Sequence, residues 1–282
     1  MTVADDNVQR ALQALDVPED FNAYETTDDS EVVVRLEQWK QKAHGVLAGL
    51  RQQLQDREEL ALKEKVAVVG AVAQFSGNGA WVTESTHTLA EGVSPHPLSR
   101  PVAHKTQETL KPYTTGDVHL VEAILNECIK PIFKNNLHPK VNASTGRVLP
   151  RSAGGTAAYQ DYFEGQVWKR HPGASNVIDW CVIHIEVCVK LSTVPRDSCL
   201  LQGTAYEKIW HLVIPPIMTL LDDYEIKYKL RGVQIVSNLL RNAPGELLRR
   251  TGISGLFYSV RHHLSFVESR KPMSLCRASR RV

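Results

Sequence analysis

Residues 212–240 read LVIPPIMTLLDDYEIKYKLRGVQIVSNLL. Two prolines interrupt an apolar run of helical spacing, and two aspartates close it, so one helix is spoiled in its middle and another opens directly after it. Upstream, Thr204 and Glu207 have the spacing of a capping box, in which hydroxyl and carboxylate each satisfy a backbone donor left unpaired in the first turn; the first helix is predicted to begin there. Tyr206, Ile209, Trp210, Val213, Ile217, Leu220 and Leu221 recur at three- and four-residue steps and form one wide apolar stripe. Pro215 and Pro216 remove two backbone donors and crowd the carbonyls of His211 and Leu212, at about 3 kcal/mol or more for an interior proline, so a bend is expected. Asp222 with Glu225 reads as a second capping box whose carboxylates also suit the positive end of a helix dipole. The second stripe is then Ile226, Leu230, Val233, Val236, Leu239 and Leu240, with Lys227, Arg231, Asn238 and Arg241 off it, and Asn242 and Pro244 end the helix. Residues 204–243 are thus predicted to form a helical hairpin with a tight turn.

A lone hairpin cannot cover both of its stripes, so it needs a neighbour on each side. Its length suits a HEAT-type repeat of about 40 to 47 residues. The residues also follow that pattern: prolines in the first helix, Asp223 in the turn, a basic residue six positions on at Lys229, and small Gly232 three beyond, where two helices can approach closely. The fold class expected is all-α, a HEAT- or armadillo-like solenoid. Pro244 to Arg250 reads as a connector that Gly252 terminates, and Ser254 caps a further helix bearing Leu256, Phe257, Val260 and Leu264.

Outward from the hairpin, helical signals continue and strand alternation is nearly missing. Val33, Leu36, Trp39, Leu47, Leu50 and Leu54 mark a helix over 31–54; Leu60 to Phe75 marks a second, stopped by Ser76-Gly77-Asn78-Gly79, and two antiparallel helices are the simplest reading. From His87 to Pro112 the chain is rich in Ser, Pro, His and Thr and reads as a long loop. Asp117 caps a helix carrying Val118, Val121, Ile124, Leu125, Cys128 and Ile129, which Pro131 bends or ends. Residues 134–165 look irregular. Ser175 or Asn176 caps a helix from Val177 to Val189 that is apolar nearly all round, as befits one buried between neighbours. The expected organisation is an N-terminal helical region at 1–86, a loop or boundary at 87–116, helical repeats at 117–267 and a basic disordered tail at 268–282.

The composition agrees with a globular chain: 282 residues, 43% hydrophobic and 23% charged, with net charge +2. No apolar run of about 18 residues predicts a membrane span. The polar, acidic start MTVADDNVQRAL lacks a secretion signal, and five irregularly spaced cysteines suit reduced thiols, so an intracellular place is expected, and Asn142-Ala143-Ser144 is an accidental glycosylation match. Charge is uneven. Residues 1–60 hold six Lys or Arg against thirteen Asp or Glu, whereas nine basic residues face two acidic ones from Arg241 onward. That asymmetry motivates a competing class, a nucleic-acid or chromatin-associated helical module.

Catalytic and metal signals are weak in the same residues. Cys181, His184 and Cys188 share a helix face, but no paired CxxC or fourth ligand accompanies them, and core packing explains them better. Cys128 or Cys199 as a nucleophile needs a base that spacing does not supply, which leaves a Cys- or His-based hydrolase as a third class. The glycines of FSGNGA and SAGGTA fit no phosphate loop, and His262-His263 lacks protease spacing. Asp222 and Asp223 are explained by helix entry. No enzyme activity, cofactor or metal is therefore expected.

The stretch at 212–240, LLRRTGI at 247–253 and LFYSVRHHLSFV at 256–267 resemble the Tti-two family, the second of the Tel-two-interacting proteins, in a fungal-type form. Weaker likeness comes from IKPIFKNNLHPKVNASTGR at 129–147 and the region of Trp168 and Trp180. The resemblance covers residues 117–267 well. It implies a helical-repeat scaffold in the TTT complex beside Tel-two and Tti-one, a co-chaperone assembly that works with the ninety-kilodalton heat-shock chaperone in the maturation and stability of phosphatidylinositol-3-kinase-related kinases, in cytoplasm and nucleus. One departure is the ending ESRKPMSLCRASRRV, short and non-periodic, which reads as a truncated or mis-spliced family chain; an uncapped stack exposes an apolar face and lowers solubility. A contact region for protein partners is expected at Lys227, Lys229, Arg231, Arg249 and Arg250.

Overall fold

The computed structural model describes residues 3–21, 30–55, 60–91, 118–134, 144–145, 147, 166–191, 199–253 and 255. Every regular element among them is helical. In order these are α1 (Val3–Ala14), α2 (Ser30–Gln55), α3 (Leu62–Ala73), α4 (Glu84–Glu91), α5 (Val118–Ile124) with a π turn (Leu125–Ile129) and α6 (Lys130–Phe133), a 3-10 turn (Val167–Arg170), α7 (Ala174–Leu191), α8 (Cys199–Asp222), α9 (Ile226–Asn242) and α10 (Gly245–Thr251). No described helix is long and apolar enough to cross a membrane.

The hairpin is α8 and α9, joined by the three residues Asp223–Glu225 and packed along their length. All seven predicted stripe residues of α8, Tyr206 to Leu221, are buried. The helix nevertheless begins at Cys199, five residues before the expected start. Thr204 therefore lies inside it, where the backbone donors a capping box serves already have carbonyl partners one turn back, and the Glu207 carboxylate instead meets the Arg250 guanidinium of α10. The helix also runs without a break through Pro215 and Pro216, with Ile214 and Ile217 fully buried beside them. Packing of the apolar stripe on both sides of the prolines outweighs the two lost donors.

At α9 the expected stripe holds for Val236 and Leu239, with Val233 partly buried, and is corrected for the rest. Tyr228, Gly232, Ile235, Val236, Asn238 and Leu239 face inward, whereas Ile226, Leu230 and Leu240 are exposed. Both flanks of the helix carry apolar residues at helical spacing, and the one with Gly232 wins because it comes closest to α8. A Cβ added at Gly232 would lie 2.9 Å from Leu221 Cδ2 and 3.2 Å from Leu220 Cβ. A branched substitution such as Gly232→Val is expected to pry α9 from α8 and cost about 1–3 kcal/mol, a typical overpacking penalty, read as a lower urea midpoint at unchanged helix content.

Further corrections have local causes. Pro131 does not end its helix: the π turn precedes it, with Lys130 N–H reaching back to Leu125 O, and the widened register accommodates a residue that has no N–H to donate. Neither Ser175 nor Asn176 caps α7, which is entered earlier through the turn bonds Ala174 N–H to His171 O and Asn176 N–H to Gly173 O. His87 to Glu91 belongs to α4, begun by Thr83, which exchanges hydrogen bonds with Thr86 in place of the expected loop. Pro244 is the residue before α10, a helix where a connector was expected; Gly252 stops it in the left-handed conformation at φ 74°. Asp117, Ser254 and the segments 92–117, 148–165 and 256–282 lie outside the described residues.

Two cores meet at α3. Val66, Val69 and Ala73 join a cluster with α5, α7, α8 and α9, while Val68, Val72 and Phe75 join a second with α1, α2 and α4. α2 packs chiefly on α1 and α4, and Trp39 stacks on Phe75 at 5.9 Å. Within the larger cluster α7 touches α3, α5, α8 and α9, consistent with a helix apolar nearly all round.

Candidate functional site

The three-residue turn between α8 and α9 closes on a side chain from another part of the chain. Asp223, fully buried, accepts the Glu225 N–H at 2.8 Å, a bond that turns the backbone into α9. The predicted pairing of Asp222 with Glu225 is thereby corrected: Asp222 ends α8, Glu225 precedes α9 without donating or accepting a side-chain cap, and Asp223 performs the turn. Lys169, in the 3-10 turn, sends Nζ to Asp223 Oδ1 at 3.2 Å and Glu225 Oε1 at 2.7 Å, with Asp223 Oδ2 at 3.0 Å in ion-pair contact. The ammonium also sits over the rings of Tyr224 at 4.2 Å and Tyr228 at 4.9 Å. Next to it Trp168 stacks on Phe133 at 5.7 Å and meets Tyr228 edge-on at 4.7 Å. A single short turn thus pins the hairpin to α6.

Burial opposes the charged form of Lys169, but hydrogen bonds and charges of Glu225 and Asp223 outweigh it and raise its pKa above the usual lysine range. For Glu225 burial pushes upward, yet hydrogen bonds from Lys169 and Lys227 prevail and the carboxyl titrates lower than usual. The lysine contribution is present below about 10.4 and fades as pH rises through the folded value; the Glu225 contribution is present above about 4.3 and is lost as pH falls through its folded value. Glu225→Gln should therefore flatten the acid side of the urea midpoint against pH. An unchanged acid limb contradicts the pairing.

The expected partner-contact residues fall in separate places. Lys227 pairs with Glu225 at 3.1 Å, and Arg249, at the end of α10, pairs with Glu246 at 2.7 Å. Arg250 pairs with Glu207. Arg231 is turned toward the N-terminal core: its guanidinium donates to Asn78 O and Asn176 Oδ1, while Asn176 Nδ2 donates to Gln74 O at 2.7 Å. It helps close the end of α3 as well as carrying charge. Lys229 is half-buried on α9. Spacing revealed none of these partners, and Lys169, the hub of the turn, was not singled out at all.

Chemistry is sparse in the same region. Burial, then the charge of Glu127, pushes the Cys128 thiol up to about 11, and burial raises the fully buried Cys181 thiol, so both are poor thiolates. His184 stacks on Trp180 with Nδ1 at 2.9 Å from the Trp180 carbonyl. Among the described residues no group of three His, Cys, Asp or Glu side chains is placed to hold a metal ion.

The model of the Tti2 family matches residues 68–267, from within α3 through the Lys169 turn, the hairpin and α10. The chain belongs to the Tti2 family. No curated protein and no solved structure matches it. The Tti2 match takes in α5, the π turn and α7, the described elements that pack most closely on the hairpin, together with Trp168, Lys169 and Asp223. Among the described residues the region matched by the Tti2 model is a helical body pinned by buried aromatic and ionic contacts.

Proposed function

We propose that the chain is a non-enzymatic, HEAT-like scaffold that serves as the Tti-two-type subunit of a TTT co-chaperone assembly. The family match over residues 68–267 carries this reading. Packing supports the repeat architecture: α5 lies against α7 and α8, and α7 lies against α8 and α9, so the α8–α9 hairpin stacks on an earlier pair and α3 stacks before that. In such a stack each layer depends on its neighbours, and the faces left outside are broad enough for large protein partners. Those partners are Tel-two and Tti-one types of subunit, the heat-shock chaperone and the phosphatidylinositol-3-kinase-related kinases, met in the cytoplasm and nucleus.

Arg249 and Arg250 lie exposed on α10, paired with Glu246 and Glu207. Reversing both to Glu places like charges beside Glu246 and Glu207 on an exposed surface, where the expected change is in partner choice more than in folding. Affinity purification with mass spectrometry should recover the Tel-two and Tti-one types of subunit with the unaltered chain and several-fold less with the double reversal, at equal helicity. Undiminished recovery removes these residues from the interface. Recovery of nucleic acid in a steeply salt-dependent manner, without those subunits, overturns the scaffold reading.

A further inference from the structure

Helix α9 carries two apolar faces and the fold uses one. With about 100° between successive residues, Tyr228, Gly232, Ile235 and Leu239 share the inward sector, while positions 226, 230, 237 and 240 share the opposite one, where Val233 between them is partly buried against the core. On that outward sector Ile226, Leu230 and Leu240 are 60%, 53% and 42% exposed. Just before it, Tyr224 is 72% exposed. Solvent-facing apolar residues scattered singly need no explanation, but three repeating along one helix side, with Tyr224 just before them, form a patch of the kind that marks an interaction surface.

The charge pattern identifies the partner. The 17 residues of α9, IKYKLRGVQIVSNLLRN, include Lys227, Lys229, Arg231 and Arg241 and no acid. Lys229 and Arg241 fall about 60° to either side of the apolar stripe, as two basic margins. Beside the stripe a surface cavity of about 460 Å³ opens between Trp81, Pro172, Tyr228 and Leu230, wide enough to receive one large anchoring side chain. We propose that this face of α9 docks an acidic amphipathic helix of a partner protein, its apolar i, i+3, i+4, i+7 residues against Ile226, Leu230 and Leu240 and its carboxylates against Lys229 and Arg241. A second copy of the chain suits the face poorly, because two α9 helices would bring their basic margins together. The inference rests on the scaffold reading and names the surface and partner chemistry it uses.

The test uses the full chain and fluorescence anisotropy with two labelled synthetic helices, one with leucines at i, i+3, i+4, i+7 flanked by glutamates, the other with lysines in place of every glutamate. The acidic helix should bind saturably and more weakly as salt rises, and the lysine helix should not bind. Ile226→Asp with Leu230→Asp should weaken binding at least about tenfold, and Lys229→Glu with Arg241→Glu should shift preference toward the lysine helix, all at unchanged melting temperature. Equal binding of both helices, or full affinity in the aspartate variant, overturns the proposal. So does a dimer that the aspartate variant dissolves, which assigns the face to a second copy, or binding that appears only once residues 256–282 are removed, which assigns it to this chain. Capture of the Tel-two and Tti-one types of subunit is scored in parallel: normal capture by the aspartate variant rejects this face alone, whereas no capture by the unaltered chain rejects the scaffold reading.

Discussion

Lys169→Met is expected to destabilise the protein by about 3–5 kcal/mol, the cost of leaving one member of a buried ion pair without its partner. The Asp223 carboxylate has no exposure, and Lys169 supplies its positive charge from 54 residues away in the chain. Without the ammonium the carboxylate keeps the Glu225 N–H at 2.8 Å, which fixes the turn but cannot neutralise a charge held out of water. Asp223→Asn keeps the shape and the acceptor while removing the charge, and Lys169 retains Glu225 at 2.7 Å, so a smaller cost of about 1–3 kcal/mol is expected. The double variant should be less destabilised than the sum of the two, because the charge that Lys169→Met strands is no longer there. Urea midpoints across pH measure all three; a cost under about 1 kcal/mol for Lys169→Met contradicts the role of this pair.

Trp168→Ala should cost a similar amount, about 3–5 kcal/mol, for a different reason. The indole is almost wholly buried between Phe133 and Tyr228, at 5.7 Å and 4.7 Å, and holds α6 against the start of α9. Its removal leaves a cavity the size of two rings and ends two aromatic contacts, each worth about 0.5–1.5 kcal/mol beyond the buried area. Trp168→Phe should recover much of the loss because the stack on Phe133 can persist. Thermal and urea unfolding distinguish the two, with near-ultraviolet circular dichroism reporting the aromatic packing. Equal stability of the alanine variant and the parent would show that the 3-10 turn is not what holds these helices together.

These two residues also show what the sequence conveys and what it withholds. The stripe of α8 was legible because its apolar residues recur at three- and four-residue steps, and all seven are buried, as are Leu212, Ile214 and Met218 beside them. In α9 the same periodicity was right for Val236 and Leu239, and in part for Val233, and wrong for Ile226, Leu230 and Leu240, which repeat as regularly as the buried Tyr228, Ile235 and Leu239; which side meets α8 is decided by the close approach at Gly232. Helix starts misled where local signals compete with propagation: Thr204 and Glu207 have capping spacing, but the helix had already begun at Cys199. Of the two aspartates only Asp223 serves helix entry, by accepting the Glu225 N–H, and it also meets Lys169, to which no local pattern links it. The candidate interface was legible only as charge. Arg231 points into a bridge with Asn78 and Asn176, whereas the exposed apolar side of α9 emerged only with the structure.

Co-expression of this chain with Tel-two and Tti-one types of subunit, followed by size-exclusion chromatography with mass determination, tests the central claim most directly. A family scaffold built from stacked helical hairpins should co-elute with both subunits as one assembly of fixed stoichiometry. Elution of the folded chain by itself, with both partners intact in separate peaks, would contradict it.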